Sequence, residues 1–171
     1  MKYIVISDIH GDIYSLNKIF DIFVKERCSK ILILGDLFNY GIDLNRKNII
    51  DRLNLMKDSI ICVRGNCDNN ISGILFDIPY TNKISLNNKN IFMTHGHLYN
   101  KKYLMNLDSD IILTGHTHIS NIEEIGGKVF INPGSIYKSR KGENSFAIID
   151  EESISIRNLN NEILETRNFK K

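Results

Sequence analysis

The sequence predicts an α/β fold whose first half alternates strands with helices and whose second half is built from hairpins. Three observations predict it. Apolar, β-branched runs ("KYIVIS", "KILILG", "SIICV") precede Arg64, with stretches of helical period between them. Beyond Pro79 the apolar runs come in pairs. Short polar or Gly-Gly turns join those pairs, as hairpins require.

Each element follows in order. "KYIVIS" reads as a buried strand. Leu16, Ile19, Phe20, Phe23 and Val24 recur at helical spacing, with Ser15 placed to cap that helix. "KILILG" is the second strand, ended by Gly35. Ile49, Leu53 and Met56 mark a second helix, and "SIICV" a third strand. A β-α-β-α-β opening implies parallel strands with right-handed crossovers. "KISL", "NNKN" and "IFMT" then form a hairpin, and "DIILT" is another buried strand. Tyr103–Leu107 is the helical stretch of this half. "IEEI", "GGK" and "VFIN" form a second hairpin, and "SFAIID" with "SISIRNL" a third. No Pro/Ser-rich linker or repeat divides the chain, so residues 1–171 are read as a single domain.

Composition bounds the function. A chain of 171 residues can bury a core without disulfides. A net charge of +2 gives no basis for a nucleic-acid coat or a membrane-surface protein. The two terminal lysines read as a solvated tail. Three cysteines without a CxxC pair suit a reducing compartment. No signal-peptide pattern or apolar run of membrane length occurs, and the expected location is cytoplasmic.

The chemistry lies where strands end. The first ends in "SDIHGD" with Asp8 and His10, the second in "GDLFNYG" with Asp36 and Asn39. The third ends in "RGNCD" with Asn66, Cys67 and Asp68. "IFMT" runs into "HGH" with His95 and His97, and "DIILT" into "GHTH" with His116 and His118. All five histidines of the chain fall in these motifs. Ligands of open α/β sheets bind outside the carboxyl ends of the strands. The pairs Asp8/His10 and His116/His118 are two residues apart, so an extended chain would turn each pair to one face. Imidazole and oxygen donors without paired cysteines favour Mn, Fe, Zn, Ni or Co over Ca or Mg. Two carboxylates, four imidazoles and an amide are too many for one ion and suit two ions bridged by a carboxylate.

These motifs, with "NPGS" after the second hairpin, resemble the blocks of the calcineurin-like metallophosphoesterases. "GNCD" and "THGHLY" make the chain most similar to the small bacterial YfcE-like phosphodiesterases. The resemblance implies a four-layer α/β/β/α sandwich of two mixed sheets. It also implies one metal held by Asp8, His10, Asp36 and His118, and another by Asp36, Asn66, His95 and His116. Asp36 bridges them, and Mn2+ is the favoured ion. Two divalent ions would carry a formal +4 against −2 from Asp8 and Asp36, and a bridging hydroxide would leave about +1. That hydroxide would attack phosphorus in a small phosphate ester while the residual charge binds the phosphate. A neutral Asn66 ligates without cancelling that charge.

The chain departs from the family pattern at two places. Asn39-Tyr40-Gly41 stands where phosphoprotein phosphatases carry an Arg, so the bidentate phosphate grip of that block is missing. Cys67 stands where many relatives have a His. A thiol is a weak donor, so activated or aryl diesters should survive the change better than alkyl monoesters. Cys67 is thus a candidate catalytic residue, against a plain packed cysteine. As the nucleophile it would need a phosphate-cradling loop closed by an Arg, and none is visible. His97 is a second candidate catalytic residue, by substrate contact or by supporting His95, and Asn39 is a candidate for substrate binding. Asp68 either orients its neighbours or caps the turn.

The main rival is a non-catalytic scaffold, as in the retromer subunit of this fold. Seven competent ligand positions argue for the enzyme instead. A phosphomonoesterase or cyclic-nucleotide phosphodiesterase is the nearer alternative. Long nucleic acid and membrane are not expected partners, and a homo-oligomer is a family-level expectation.

Overall fold

Strand alternation builds the layers. In β1 (Tyr3–Ile6), Ile4 and Ile6 point to one face and Tyr3 and Val5 to the other, and all four are buried. β2 (Lys30–Ile33) divides the same way, with Ile31 and Ile33 opposite Leu32. The first face packs on Leu16, Ile19 and Phe20 of α1 (Ile13–Lys25) and on Ile49 and Leu53 of α2 (Arg46–Leu55). The second face meets β5 (Lys89–Thr94) and β6 (Ile111–Leu113) through Ile91, Met93, Ile111 and Leu113. On the far side of that second sheet, Phe92 and Ile112 pack on Leu104 of α3 (Lys101–Met105) and on Phe130. Three apolar clusters therefore separate four layers, α/β/β/α, in agreement with the expected sandwich.

The computed structural model describes residues 1–40 and 44–169. Gly41 of the second motif and the terminal Lys170 and Lys171 lie outside the described residues.

Both sheets are mixed. β3 (Ile60–Cys62) joins β2 and β1 in parallel, as the β-α-β-α-β reading required. β9 (Ser145–Ile149), β10 (Ser153–Asn158) and β11 (Ile163–Asn168) extend that sheet antiparallel from β1. In the second sheet β4 (Thr81–Leu86) pairs antiparallel with β5. β5, β6 and β8 (Lys128–Asn132) run parallel, and β7 (Asn121–Ile125) closes the edge against β8. The parallel strands of each sheet thus send their carboxyl ends to one rim.

Three local expectations change. The cap of α1 is Asp12, whose carboxylate accepts the Tyr14 and Ser15 N–H groups at 3.1 Å each. Ser15 lies inside the helix and donates its hydroxyl to Asp12 at 2.7 Å. Val24 is 69% exposed and belongs to the solvent face. β11 carries no buried side chain, so it has no alternation to announce it and is held by its ladder to β10. Among the described residues no helix is long and apolar enough to cross a membrane.

Candidate active site

The strand-end motifs do not stay extended. Asp8, His10, Asp36, His116 and His118 all have positive φ, between 45° and 67°. Such left-handed backbone is uncommon for residues with a Cβ and persists only where its surroundings hold it. Tight turns, rather than one face of an extended segment, therefore bring each pair inward.

The surroundings are a mesh of backbone hydrogen bonds. Ile9 and His10 donate their N–H groups to Asp36 O at 2.9 and 3.0 Å, and Asp8 donates to Gly35 O at 3.1 Å. Asp68 is fully buried and ties the second motif to the third. Its Oδ2 accepts from Asp36 N and Gly65 N, and its Oδ1 from Leu37 N, each at 2.8 Å. Of the two roles expected for Asp68, orienting its neighbours is the one these contacts describe. Gly65 has to be glycine, because a Cβ there would lie 2.1 Å from Asp36 Oδ1. Gly115 lets the fifth motif approach the first, since a Cβ would meet Ser7 Oγ at 1.9 Å. His116 N then donates to Asp8 Oδ2 at 3.0 Å.

The side chains converge in two sets. His118 Nε2 lies 3.1 Å from Asp8 Oδ1 and 3.2 Å from His10 Nε2. His95 Nε2 lies 3.3 Å from Asp36 Oδ2 and 3.1 Å from Asn66 Oδ1. Asp36 Oδ2 stands between the sets, 3.8 Å from His10 Nε2. The potential ligand atoms of Asp36, His95 and His116 lie within 4.8 Å of one another, as do those of Asp8, His10 and His118.

The tautomers make the convergence telling. His95 donates Nδ1–H to Leu34 O at 2.6 Å, and His118 donates Nδ1–H to Lys138 O at 2.7 Å. Each neutral ring then presents an Nε2 lone pair to oxygens and nitrogens that also carry lone pairs. Asp8 Oδ1 is buried without a hydrogen-bond donor directed at it. Acceptors facing acceptors need a cation or protons between them. The residues present therefore fit divalent metal ions.

The electrostatics of the chain alone agree. Burial works to raise the pKa of Asp8, but His10 and His118 outweigh it and hold the carboxyl well below its usual range. Asp36 is lowered against its burial, chiefly by His95. Burial opposes protonation of His95, yet Asp36 raises its pKa, and the adjacent Asp8 carboxylate raises His118. Burial lowers His116 and His97, and the neighbouring imidazoles add to the effect.

The remaining candidates fall in different places. Asn39 lines the pocket with His10, Asp36 and Asn66, and donates Nδ2–H to His10 O at 2.7 Å. His97 lies tilted beside His95 and His116, with ring centroids 5.3 and 6.1 Å away, and its Nδ1 is buried without a partner. Cys67 is buried, with its N–H donated to Asp36 Oδ1 at 2.8 Å. Burial, then the Asp36 carboxylate, push its thiol up to about 12. In the metal-free chain such a thiol is a weak nucleophile, and its Sγ lies within 4.8 Å of donor atoms of His10 and Asp36.

Sequence reasoning overlooked the pocket's rim. Tyr40 accepts Nδ2–H of Asn66 at 2.5 Å. Tyr137, Lys138 and Arg140 line the same pocket and come from the loop after "NPGS". That block was noted, but the basic run behind it was the unread signal.

Comparisons with known proteins point the same way. The sequence model of the calcineurin-like phosphoesterase superfamily domain matches residues 1–153. Phosphodiesterase YfcE of Escherichia coli K12 is 31% identical over 173 residues, covering 95% of this chain and 94% of YfcE. The structure of YfcE, described as a phosphoesterase from E. coli, superposes with a TM-score of 0.91 at 27% identity, over 99% of this chain and 100% of that one. Vps29 of Entamoeba histolytica complexed with Zn2+ superposes with a TM-score of 0.70 at 26% identity, covering 99% of this chain and 100% of its own.

Proposed function

The chain belongs to the calcineurin-like phosphoesterase superfamily, and from that premise we propose that it is a phosphodiesterase working with two divalent transition-metal ions, Mn2+ foremost. The observation that carries the proposal is the double convergence of imidazole nitrogens and carboxylate oxygens about Asp36. Asp8, His10, His118 and Asp36 would hold one ion, and Asp36, Asn66, His95 and His116 the other. Bound there, such ions supply Lewis acidity toward a phosphate oxygen and lower the pKa of water.

The chain's own residues do the rest. Asp36 is fixed by the backbone N–H groups of Ile9, His10 and Cys67 and by the Asp68 carboxylate, so its two oxygens are presented without reorganisation. Asn66 adds an oxygen without charge, which preserves the positive field that draws a phosphate. Tyr40 orients that amide. Cys67 keeps its proton and is a poor donor to a leaving oxygen, so esters with good leaving groups are the favoured substrates.

The likeness to Vps29 raises the scaffold reading again. The donor set is complete here, which favours the enzyme, but metal binding alone does not separate the two. Hydrolysis does. Metal-reconstituted protein should cleave an aryl phosphodiester faster than the matching monoester, with cyclic nucleotides as a third substrate class. Full metal loading with no hydrolysis of any of the three would support the scaffold instead.

A further inference from the structure

The second motif lacks the Arg that would grip a phosphate, yet a guanidinium reaches the same pocket by another route. We propose that Arg140 is the residue that binds the non-bridging oxygens of the substrate phosphate and so selects for phosphate esters. This rests on the phosphoesterase reading.

The loop that carries Arg140 is fastened to the candidate ligands. Ser135 donates its hydroxyl to Asp8 O at 2.9 Å and accepts the N–H groups of Tyr137 and Lys138 at 3.1 and 3.0 Å. Lys138 O accepts the His118 ring at 2.7 Å, and Arg140 N donates to His118 O at 3.0 Å. Asn144 braces the loop from behind, accepting Ser139 N–H and donating to Tyr137 O, each at 2.9 Å. The backbone of Arg140 is therefore positioned relative to Asp8 and His118.

Its side chain is not consumed by this bracing. Among the described residues the guanidinium makes no hydrogen bond or ion pair. It is exposed and lines a cavity of about 620 Å3 with His116 and His118. The carboxylate among the lining residues is that of Asp36, on the cavity floor, while the rim carries Lys138 and Arg140. A planar fork of donors on a fixed backbone suits two oxygens of one phosphate.

The test uses full-length protein loaded with Mn2+, as wild type, Arg140→Ala and Arg140→Lys. Metal content is measured by elemental analysis, and inorganic phosphate is titrated by calorimetry. Arg140→Ala should keep its metal and lose about tenfold or more in phosphate affinity, in line with a charge-assisted bidentate contact. Arg140→Lys should recover part of the loss. Unchanged phosphate affinity in a metal-loaded Arg140→Ala overturns the proposal. Should that variant lose metal, Arg140→Lys decides: weaker phosphate binding with metal retained supports the assignment, and wild-type binding overturns it. Aryl-diester hydrolysis is followed in parallel. An inactive wild type whose phosphate binding still depends on Arg140 would refute the phosphodiesterase reading and leave the assignment of Arg140 standing.

Discussion

The two sheets contribute unlike halves to one site. The first sheet supplies the oxygen donors Asp8, Asp36 and Asn66 with a single imidazole, His10. The second supplies His95, His116 and His118. The carboxylates are at most 2% exposed, and Asp68 locks the loops around Asp36. The imidazole half is graded, from fully buried His95 to exposed His116. The difference teaches where precision is needed. Negative charges repel one another and must be fixed by the backbone. Neutral rings can be placed by one Nδ1 contact each, as Leu34 O and Lys138 O do for His95 and His118.

Breaking the shared member should do most damage. Asp36→Ala removes the group common to both halves, and aryl-diester turnover should fall by about a thousandfold or more, as losing a metal-bridging group implies. Metal content by elemental analysis should fall with it. Next comes the lock. Asp68→Asn places an NH2 against backbone N–H groups, leaving at least one of them buried and unsatisfied. Stability to urea should drop by about 1–3 kcal/mol, and activity should fall although Asp68 donates to no metal. Equal stability would mean that the first half is not held by this carboxylate.

The imidazole half sharpens the contrast. His95→Ala should cost more stability than His116→Ala, because His95 is fully buried and bonded to Leu34 O. Thermal melts of the two variants check this, with both expected to lose metal. The metal-free chain adds a pH test. His95 and His118 have raised pKa values in the fold, so their contribution is present in full below 6.5 and is lost as pH rises through the raised values. Metal binding needs the same nitrogens unprotonated, so metal affinity should rise over that range. The smallest expected effect is at Cys67. Cys67→His should shift the diester-to-monoester rate ratio toward monoesters, and an unchanged ratio would make Cys67 purely structural.

Much of this was legible in the sequence because the motifs sit where strands end. Clustering of all five histidines announced the site, and the apolar runs "KYIVIS" and "IFMT" announced buried strands, while the sandwich followed from the family resemblance. What was illegible depended on geometry rather than on residue type. The left-handed turns at Asp8 and His116 cannot be read from a spacing of two, which suits an extended chain equally well. Asp68 was visible, but its span to Leu37 joins residues 31 apart in sequence. β11 stayed hidden because its side chains face solvent. Arg140 stayed hidden because an exposed basic loop looks like any solvated surface until its backbone is seen tied to His118.

The central claim is that both halves act together through two ions. Titrating metal-free protein with Mn2+, while following aryl-diester hydrolysis in the same samples, tests it most directly. The account predicts about two ions bound per chain, with turnover appearing as the second site fills. Full hydrolysis with one ion or none, or two ions lost only when the second-sheet histidines are removed and not with Asp36, would contradict it.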